Sequence, residues 1–364
     1  MKIGVHKVAM ASPSDVSGLT RLIDAQEINP ADIVALIGKT EGNGGANDFT
    51  RGFATLSYQL LLADRLGIST KEVGERIAFV WSGGTEGVLS PHATIFTRSQ
   101  NSGQTTGEPR LALGIEATRD ILPEEVGTMV QVDEVAKAVL RCLNQAGIVD
   151  PADVHYVQVK GPLLTPATIA DADARGKKLV TRDPNGSKAF ARGATALGVA
   201  FGLQEVKGSA LSDEIIAKRL DLFSSVASTS AGGELKNCEI LLFGNSRLAS
   251  SDYRIGHGIL GDVIDAAGVK AALLSAGLSE PLSHQELSRI AAVFAKADAS
   301  PNGMIRGRRT TMLSDADINY ERHARAALGA VIASITNDPA IFVSGGTEHQ
   351  CAPGEAPIAA IVKV

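Results

Sequence analysis

Three serines stand in near-identical company in this chain. Ser82 and Ser344 each open the pentapeptide Ser-Gly-Gly-Thr-Glu, and Ser230 opens a variant, Ser-Ala-Gly-Gly-Glu. Each follows a run that reads as a strand. A hydroxyl at a strand end, beside glycines that let backbone N–H groups approach a small ligand, suits acyl transfer or the binding of oxygen atoms. Within its own third of the chain each serine follows a lysine at the end of an earlier strand-like run and an arginine on a helix. The order is Lys39–Arg51–Ser82, then Lys160–Arg192–Ser230, then Lys296–Arg325–Ser344. Arg325 is preferred to Arg322 because Ala324-Arg325-Ala326-Ala327 matches Ala191-Arg192-Gly193-Ala194.

A serine beside a lysine is a nucleophile and a base without histidine. The lysine must then be neutral, so its pKa must fall from about 10.4, which burial and neighbouring cations achieve. Arginines would grip carbonyl or enolate oxygens, and the Gly83, Ala231 and Gly345 backbone would face the ligand. Each residue alone is commonplace: Ser-Gly-Gly occurs in ordinary turns, and a strand-end lysine is usually solvated. Recurrence of one order three times is what points to a site. Three equal donor sets suit a small, flat, oxygen-rich ring.

The elements that must carry these residues repeat too. Strands are expected over 32–37, 77–81 and 93–97, then 111–118, 154–159 and 238–243, then 290–295, 340–343 and 357–364. Helices are expected over 52–66, 131–146, 187–202, 261–276 and 317–332. The expected fold is α/β: three structurally equivalent repeat units, 1–103, 112–249 and 255–364, arranged with pseudo-threefold symmetry around a central active site in a barrel-like manner. The polar runs 98–109 and 245–253 read as linkers.

A chain of 364 residues exceeds one ordinary core, in keeping with three units. Gly 38 with only 4% aromatics fits tight turns and Ala/Val/Ile/Leu packing. A net charge of −5 gives no basic field for nucleic acid. No apolar run reaches membrane-spanning length, and residues 1–6 read as a strand rather than a signal peptide. Cys142, Cys238 and Cys351 are odd in number and widely spaced, which predicts buried thiols and a cytoplasmic location. The loop Gly42-Asn43-Gly44-Gly45 lacks the pattern of a phosphate loop, and the histidines lack zinc-ligand spacing. No organic cofactor is expected, because an activated serine with water suffices for amide hydrolysis.

Several stretches resemble the cyanuric acid amidohydrolase/barbiturase family. They are the runs at 38–44 and 47–53, Ser82 to Gly87, Val159-Lys160-Gly161-Pro162, Gly244-Asn245-Ser246 and Ser344 to Gln350. The resemblance spans essentially the whole chain. It implies hydrolytic opening of cyanuric acid to carboxybiuret, which loses CO2 to give biuret. It also implies Ser230 as nucleophile and Lys160 as general base. Ser82, Ser344, Lys39 and Lys296 would polarise the other two carbonyls, and Arg51, Arg192 and Arg325 would hold ring oxygens. A homotetramer is implied, as is a structural divalent cation (Mg or Ca) on Asp298 and the loop containing Thr347, Gln350, Cys351, Ala352 and Glu355. The family pattern commonly has Glu at the Asp298 position. A hard cation suits one carboxylate plus loop carbonyls. Two alternatives stay open: a barbiturase opening barbituric acid to ureidomalonate, and a non-catalytic ring-binding protein on the same scaffold, against which the presence of both Lys160 and Ser230 weighs.

Overall fold

Strands form where apolar residues alternate between two covered faces. In the second strand Ile33 and Leu36 face helices, whereas Ala35 and Ile37 face a core shared by all three sheets. Burial on both faces explains why such runs read as continuously apolar. The protein is described by a computed structural model covering residues 1–45, 47–99, 105 and 107–364.

The chain runs β1 (Lys2–Ala9), α1 (Ser17–Asp24), β2 (Ile33–Thr40), α2 (Thr50–Leu66), α3 (Thr70–Arg76), β3 (Ala78–Gly83) and β4 (His92–Ser99). It continues with β5 (Arg110–Ala117), α4 (Met129–Ala146), β6 (Val154–Pro162), α5 (Pro166–Ala174), α6 (Ser187–Gly202), β7 (Ala227–Gly232) and β8 (Glu239–Ser246). The last part is β9 (Tyr253–Leu260), α7 (Ala266–Ala276), α8 (His284–Leu287), β10 (Ile290–Ala297), the short pair β11 (Met304–Ile305) and β12 (Arg308–Arg309), α9 (Tyr320–Thr336), β13 (Phe342–Gly345) and β14 (Ala356–Lys363).

Three four-stranded sheets result, with orders β1-β4-β2-β3, β5-β8-β6-β7 and β9-β14-β10-β13. In each, the first and fourth strands and the fourth and second pair antiparallel, and the second and third pair parallel. The inner faces meet on a common apolar core. Its centre is aromatic: Phe96 lies 4.9 Å from Phe243, and Tyr156 stacks 4.8 Å from Phe294. The few aromatic residues are therefore concentrated where the sheets join.

Several expectations need correction. The sheets do not close into a barrel. Each is an open ladder, and the carbonyls of edge residues Trp81, Thr229 and Val343 are taken by lysine ammonium groups instead of by a neighbouring strand. Strand β9 fills the gap between the expected linker at 245–253 and the expected helix at 261–276, and that helix starts later, at Ala266; Asn245 and Ser246 belong to β8. Alternation in β9 is masked by Gly256 and Gly258, which sit close to α7: a Cβ on Gly256 would come within 2.2 Å of the Ala276 nitrogen. Strands β5 and β9 begin at Arg110 and Tyr253, two residues before the expected unit boundaries. Of the linker over 98–109, residues 100–104 and 106 lie outside the described residues. Among the described residues, no helix is long and apolar enough to cross a membrane. All three cysteines are free and buried.

Candidate active site

Each lysine faces its serine because parallel pairing puts them opposite one another. The partners are Lys39 and Ser82 on β2 and β3, Lys160 and Ser230 on β6 and β7, and Lys296 and Ser344 on β10 and β13. Cross-strand partners project to the same face of a sheet.

The ammonium groups also bind across units, in a cycle. Lys39 Nζ donates to the Val343 carbonyl at 2.7 Å, Lys160 Nζ to the Trp81 carbonyl at 3.4 Å and Lys296 Nζ to the Thr229 carbonyl at 2.7 Å. Each acceptor is the residue just before a serine of the set. Lys39 further donates to Ser82 Oγ at 3.1 Å, and Lys296 to the Gly345 carbonyl at 2.7 Å. Lys160 instead meets Glu234 at 2.7 Å. Burial pushes Lys39 well below the ordinary lysine range, with Arg325 adding to it. Lys296 falls to about 7, chiefly through burial and then through Arg192. This is the desolvation and like-charge effect that a lysine base requires.

The arginines follow a second cycle. Arg51 lies 3.5 Å from Glu234, Arg192 bonds Glu348 through two nitrogens at 2.7 Å, and Arg325 bonds Glu86 at 2.5 and 2.9 Å. Each glutamate is the fifth residue of a serine motif. Burial opposes ionisation of Glu86, yet Arg325 outweighs it and keeps this pKa below the usual carboxylate range. Arg325 is buried and faces the site, whereas Arg322 has a half-exposed side chain that reaches Glu86 from outside.

These groups close around a cavity of about 50 Å3 lined by Arg51, Ser82, Gly83, Lys160, Arg192, Ser230, Ala231, Arg325, Ser344 and Gly345, among others. Lys39 and Lys296 stand behind it, bonded to its wall. Gly44, Lys188, Arg192, Glu321 and Arg325 also line an outer cavity of about 590 Å3. Glycine is required at position 83, where a Cβ would sit 1.7 Å from buried Asp48 Oδ2. Asp48 in turn accepts from Gly44 N and Thr50 N, both at 2.9 Å, and so shapes the loop at the rim. Ala189 stands at the Asp48 position of the second unit, where Ala231 replaces that glycine. The following glycines Gly84 and Gly346 adopt φ of 101° and 78°, which turns the chain away from the strand.

The candidate cation loop lies beside the third serine. Asp298 follows β10, and its pKa is raised to about 6 by burial and then by Glu348 and Glu321. Gln350 Oε1 accepts from Thr229 N at 2.7 Å, so this loop touches the residue before Ser230. The Cys351 thiol donates to the Glu355 carbonyl at 3.3 Å, and Glu355 Oε2 accepts from Ala352 N at 3.0 Å. The Gln350 backbone N–H donates to the Thr347 carbonyl at 2.9 Å. No three His, Cys, Asp or Glu side chains gather as a metal-ligand set among the described residues.

Sequence reasoning missed Glu86, Glu234 and Glu348, although each ends a copy of the serine motif. It also missed Lys188 and Glu321, each one helical turn before a site arginine, at a position where no repeated residue type draws attention.

Comparison with known proteins agrees with this geometry. Residues 4–363 match the family model described as amidohydrolase ring-opening protein. A cyclic amide hydrolase of Azorhizobium caulinodans is 70% identical over 365 residues, covering 100% of both chains. A cyanuric acid amidohydrolase of Enterobacter cloacae is 51% identical over 368 residues, again covering 100% of both. A solved cyanuric acid hydrolase superimposes with a TM-score of 0.95 at 49% identity, covering 100% of this chain and 99% of that one. With serine, lysine and arginine gathered on one cavity and a family match over nearly the whole length, the chain belongs to the ring-opening amidohydrolases.

Proposed function

We propose that this enzyme opens the ring of cyanuric acid at a pseudo-threefold site, with Ser230 as nucleophile and Lys160 as its base. The observation that carries this is the set of three Lys/Ser register pairs around one arginine-lined cavity, matching a ring with three equivalent carbonyls. The names of the relatives support the substrate.

Ser230 Oγ attacks one ring carbonyl as its proton passes to Lys160 Nζ. Ser82 and Ser344, with neighbouring backbone N–H groups, hold the other two carbonyls. Arg51, Arg192 and Arg325 balance charge that develops on ring oxygens. The ring C–N bond breaks as Lys160 returns its proton to the departing nitrogen, leaving an acyl group on Ser230. Water, deprotonated by the same lysine, releases carboxybiuret, which loses CO2 to give biuret. Burial opposes ionisation of Glu234, yet Lys160, 2.7 Å away, and Arg51 outweigh it and hold its pKa to about 2, so Glu234 orients the Lys160 side chain and does not take its proton.

A second dyad has a specific observation in its favour: Lys39 donates to Ser82 at 3.1 Å and is well below the ordinary lysine range. Replacing each serine by alanine decides between them. Ser230→Ala is expected to lose at least about 10³-fold in kcat, as removal of a nucleophile does; Ser82→Ala is expected mainly to raise KM. Comparable residual turnover in all three variants would remove the single-nucleophile mechanism. Parallel incubation with cyanuric and barbituric acids, followed by ring absorbance, tests the substrate. Loss of neither sinks the hydrolase assignment, and preferential loss of barbituric acid favours a barbiturase.

A divalent cation, Mg or Ca, fits Asp298, a carboxylate that burial beside Glu348 and Glu321 leaves short of positive charge. Carbonyls of the loop containing Thr347, Gln350, Cys351, Ala352 and Glu355 would complete its shell. Its contribution would be structural, holding the loop through which Gln350 bonds the residue before Ser230. A homotetramer is supported by an apolar stripe along α2, where Phe49, Phe53, Leu56 and Leu60 are 49–83% exposed. Sedimentation of the purified protein tests it.

A further inference from the structure

Among the described cations that line the inner and outer cavities, all but one are committed to a carboxylate. Arg51 and Lys160 share Glu234, Arg192 has Glu348, and Arg322 and Arg325 share Glu86. Lys188 lines both cavities and, among the described residues, has no carboxylate within 4 Å, although Glu321 and Glu348 lie near enough to favour its charged form. It lies on α6, one turn before Arg192, half-buried at the passage between the two spaces. The corresponding positions four residues before Arg51 and Arg325 are Asn47 and Glu321. One amide, one ammonium and one carboxylate thus occupy equivalent places in a site whose inner groups repeat. The asymmetry lies at the entrance, where a ligand is first met.

We propose that Lys188 is the recruiting cation of the site, binding the negative charge of an ionised cyclic imide as it passes from the outer cavity to the inner one. The proposal rests on the substrate assigned above. A ring N–H between two carbonyls is acidic, because the charge left behind spreads over both oxygens, so such a ring arrives as an anion. The five other lining cations are matched by five carboxylates, Asp48, Glu86, Glu234, Glu321 and Glu348, so they add little net attraction. Lys188 has a free ammonium to offer. Burial pulls its pKa below the ordinary lysine range, with Glu321 and Glu348 opposing and Arg192 and Arg325 adding to the shift. An incoming anion favours the charged form and is itself stabilised by it. Lys188 touches the ligand in transit and takes no part in bond cleavage.

The test compares Lys188→Met, which keeps the length and loses the charge, with Lys188→Arg, which keeps the charge. Turnover of cyanuric acid is followed by ring absorbance, and binding of cyanurate is measured by calorimetry in a Ser230→Ala background. Lys188→Met is expected to weaken both KM and Kd about tenfold, the size of one charge-assisted hydrogen bond, with kcat changed less than about twofold. Lys188→Arg should restore most of the loss. Unchanged Kd in Lys188→Met overturns the proposal, as does a fall in kcat at constant Kd or an absence of cyanurate binding to either protein. A protein that does not turn over cyanuric acid, yet binds cyanurate in a Lys188-dependent way, would keep the recruiting role and remove the hydrolase assignment alone.

Discussion

Glu86, Glu348 and Glu234 end three copies of one motif, but their replacement by glutamine should cost very different amounts of stability. Glu86 and Arg325 form a two-pronged pair with side chains only 8% and 5% exposed. Glu86→Gln leaves Arg325 with Glu321 at 4.0 Å as its nearest carboxylate. Breaking a buried pair by removing one charge costs about 3–5 kcal/mol. Glu348 is 16% exposed, and its partner Arg192 retains Glu321 at 3.2 Å, so the loss there is that of charge-assisted hydrogen bonds, about 1.5–3 kcal/mol. Glu234 is 37% exposed; it lies 3.5 Å from Arg51, which retains Asp48 at 3.6 Å, and 2.7 Å from the buried Lys160, which has no other carboxylate within 4 Å among the described residues. The Lys160 pair carries a charge-assisted hydrogen bond, which solvent screening on the Glu234 side discounts to about 1–2 kcal/mol, the smallest of the three. Urea unfolding of the three variants at pH 7 measures the order Glu86, Glu348, Glu234. The pH dependence carries the same sign. Glu86 is depressed below its unfolded pKa, so its contribution is present above that value and disappears as pH falls through the lower folded one. The gap between wild type and Glu86→Gln should therefore close in acid. Three equal losses, or a largest loss at Glu234, would refute the assignment of strength from burial and geometry.

Three further outcomes are expected. Phe294→Ala, at the centre of the shared aromatic core and 1% exposed, should cost about 3–5 kcal/mol and broaden the unfolding transition, read by urea denaturation. His92 is held down to about 4 by burial, against an unfolded value of 6.5. No penalty exists above pH 6.5; it grows as pH falls towards 4, reaching about 3 kcal/mol. His92→Gln should thus flatten the fall in stability between pH 6.5 and 4, and an unchanged slope would count against a buried neutral imidazole. Asp298→Asn should release the proposed divalent cation, measured by elemental analysis after dialysis; wild-type protein without stoichiometric Mg or Ca removes that site.

Much of the architecture was legible because repetition amplifies weak local signals. No single Ser-Gly-Gly identifies a site, but three lysine–arginine–serine sets in one order predict the register pairs found on β2/β3, β6/β7 and β10/β13. Helix α6 over Ser187–Gly202 was equally clear from its spacing. Strand β9 was not, because two glycines required by a close helix erase the alternation that marks a strand. Closure into a barrel could not be judged locally, since whether an edge carbonyl meets a strand or an ammonium group depends on partners far away in sequence.

By itself the sequence determined the mixed α/β character of the chain and the recurring order of lysine, arginine and serine, because strand and helix periodicity and residue order are local properties. Only the tertiary structure decided who meets whom between units. Lys39 reaches Val343, 304 residues away, and Arg325 reaches Glu86, 239 residues away, because three inner sheet faces pack on one apolar core. That packing also set the unequal burial of three identical glutamates and left Lys188 without an ion pair among the described residues. Both depend on how close neighbouring units come, a distance that no stretch of the chain encodes alone.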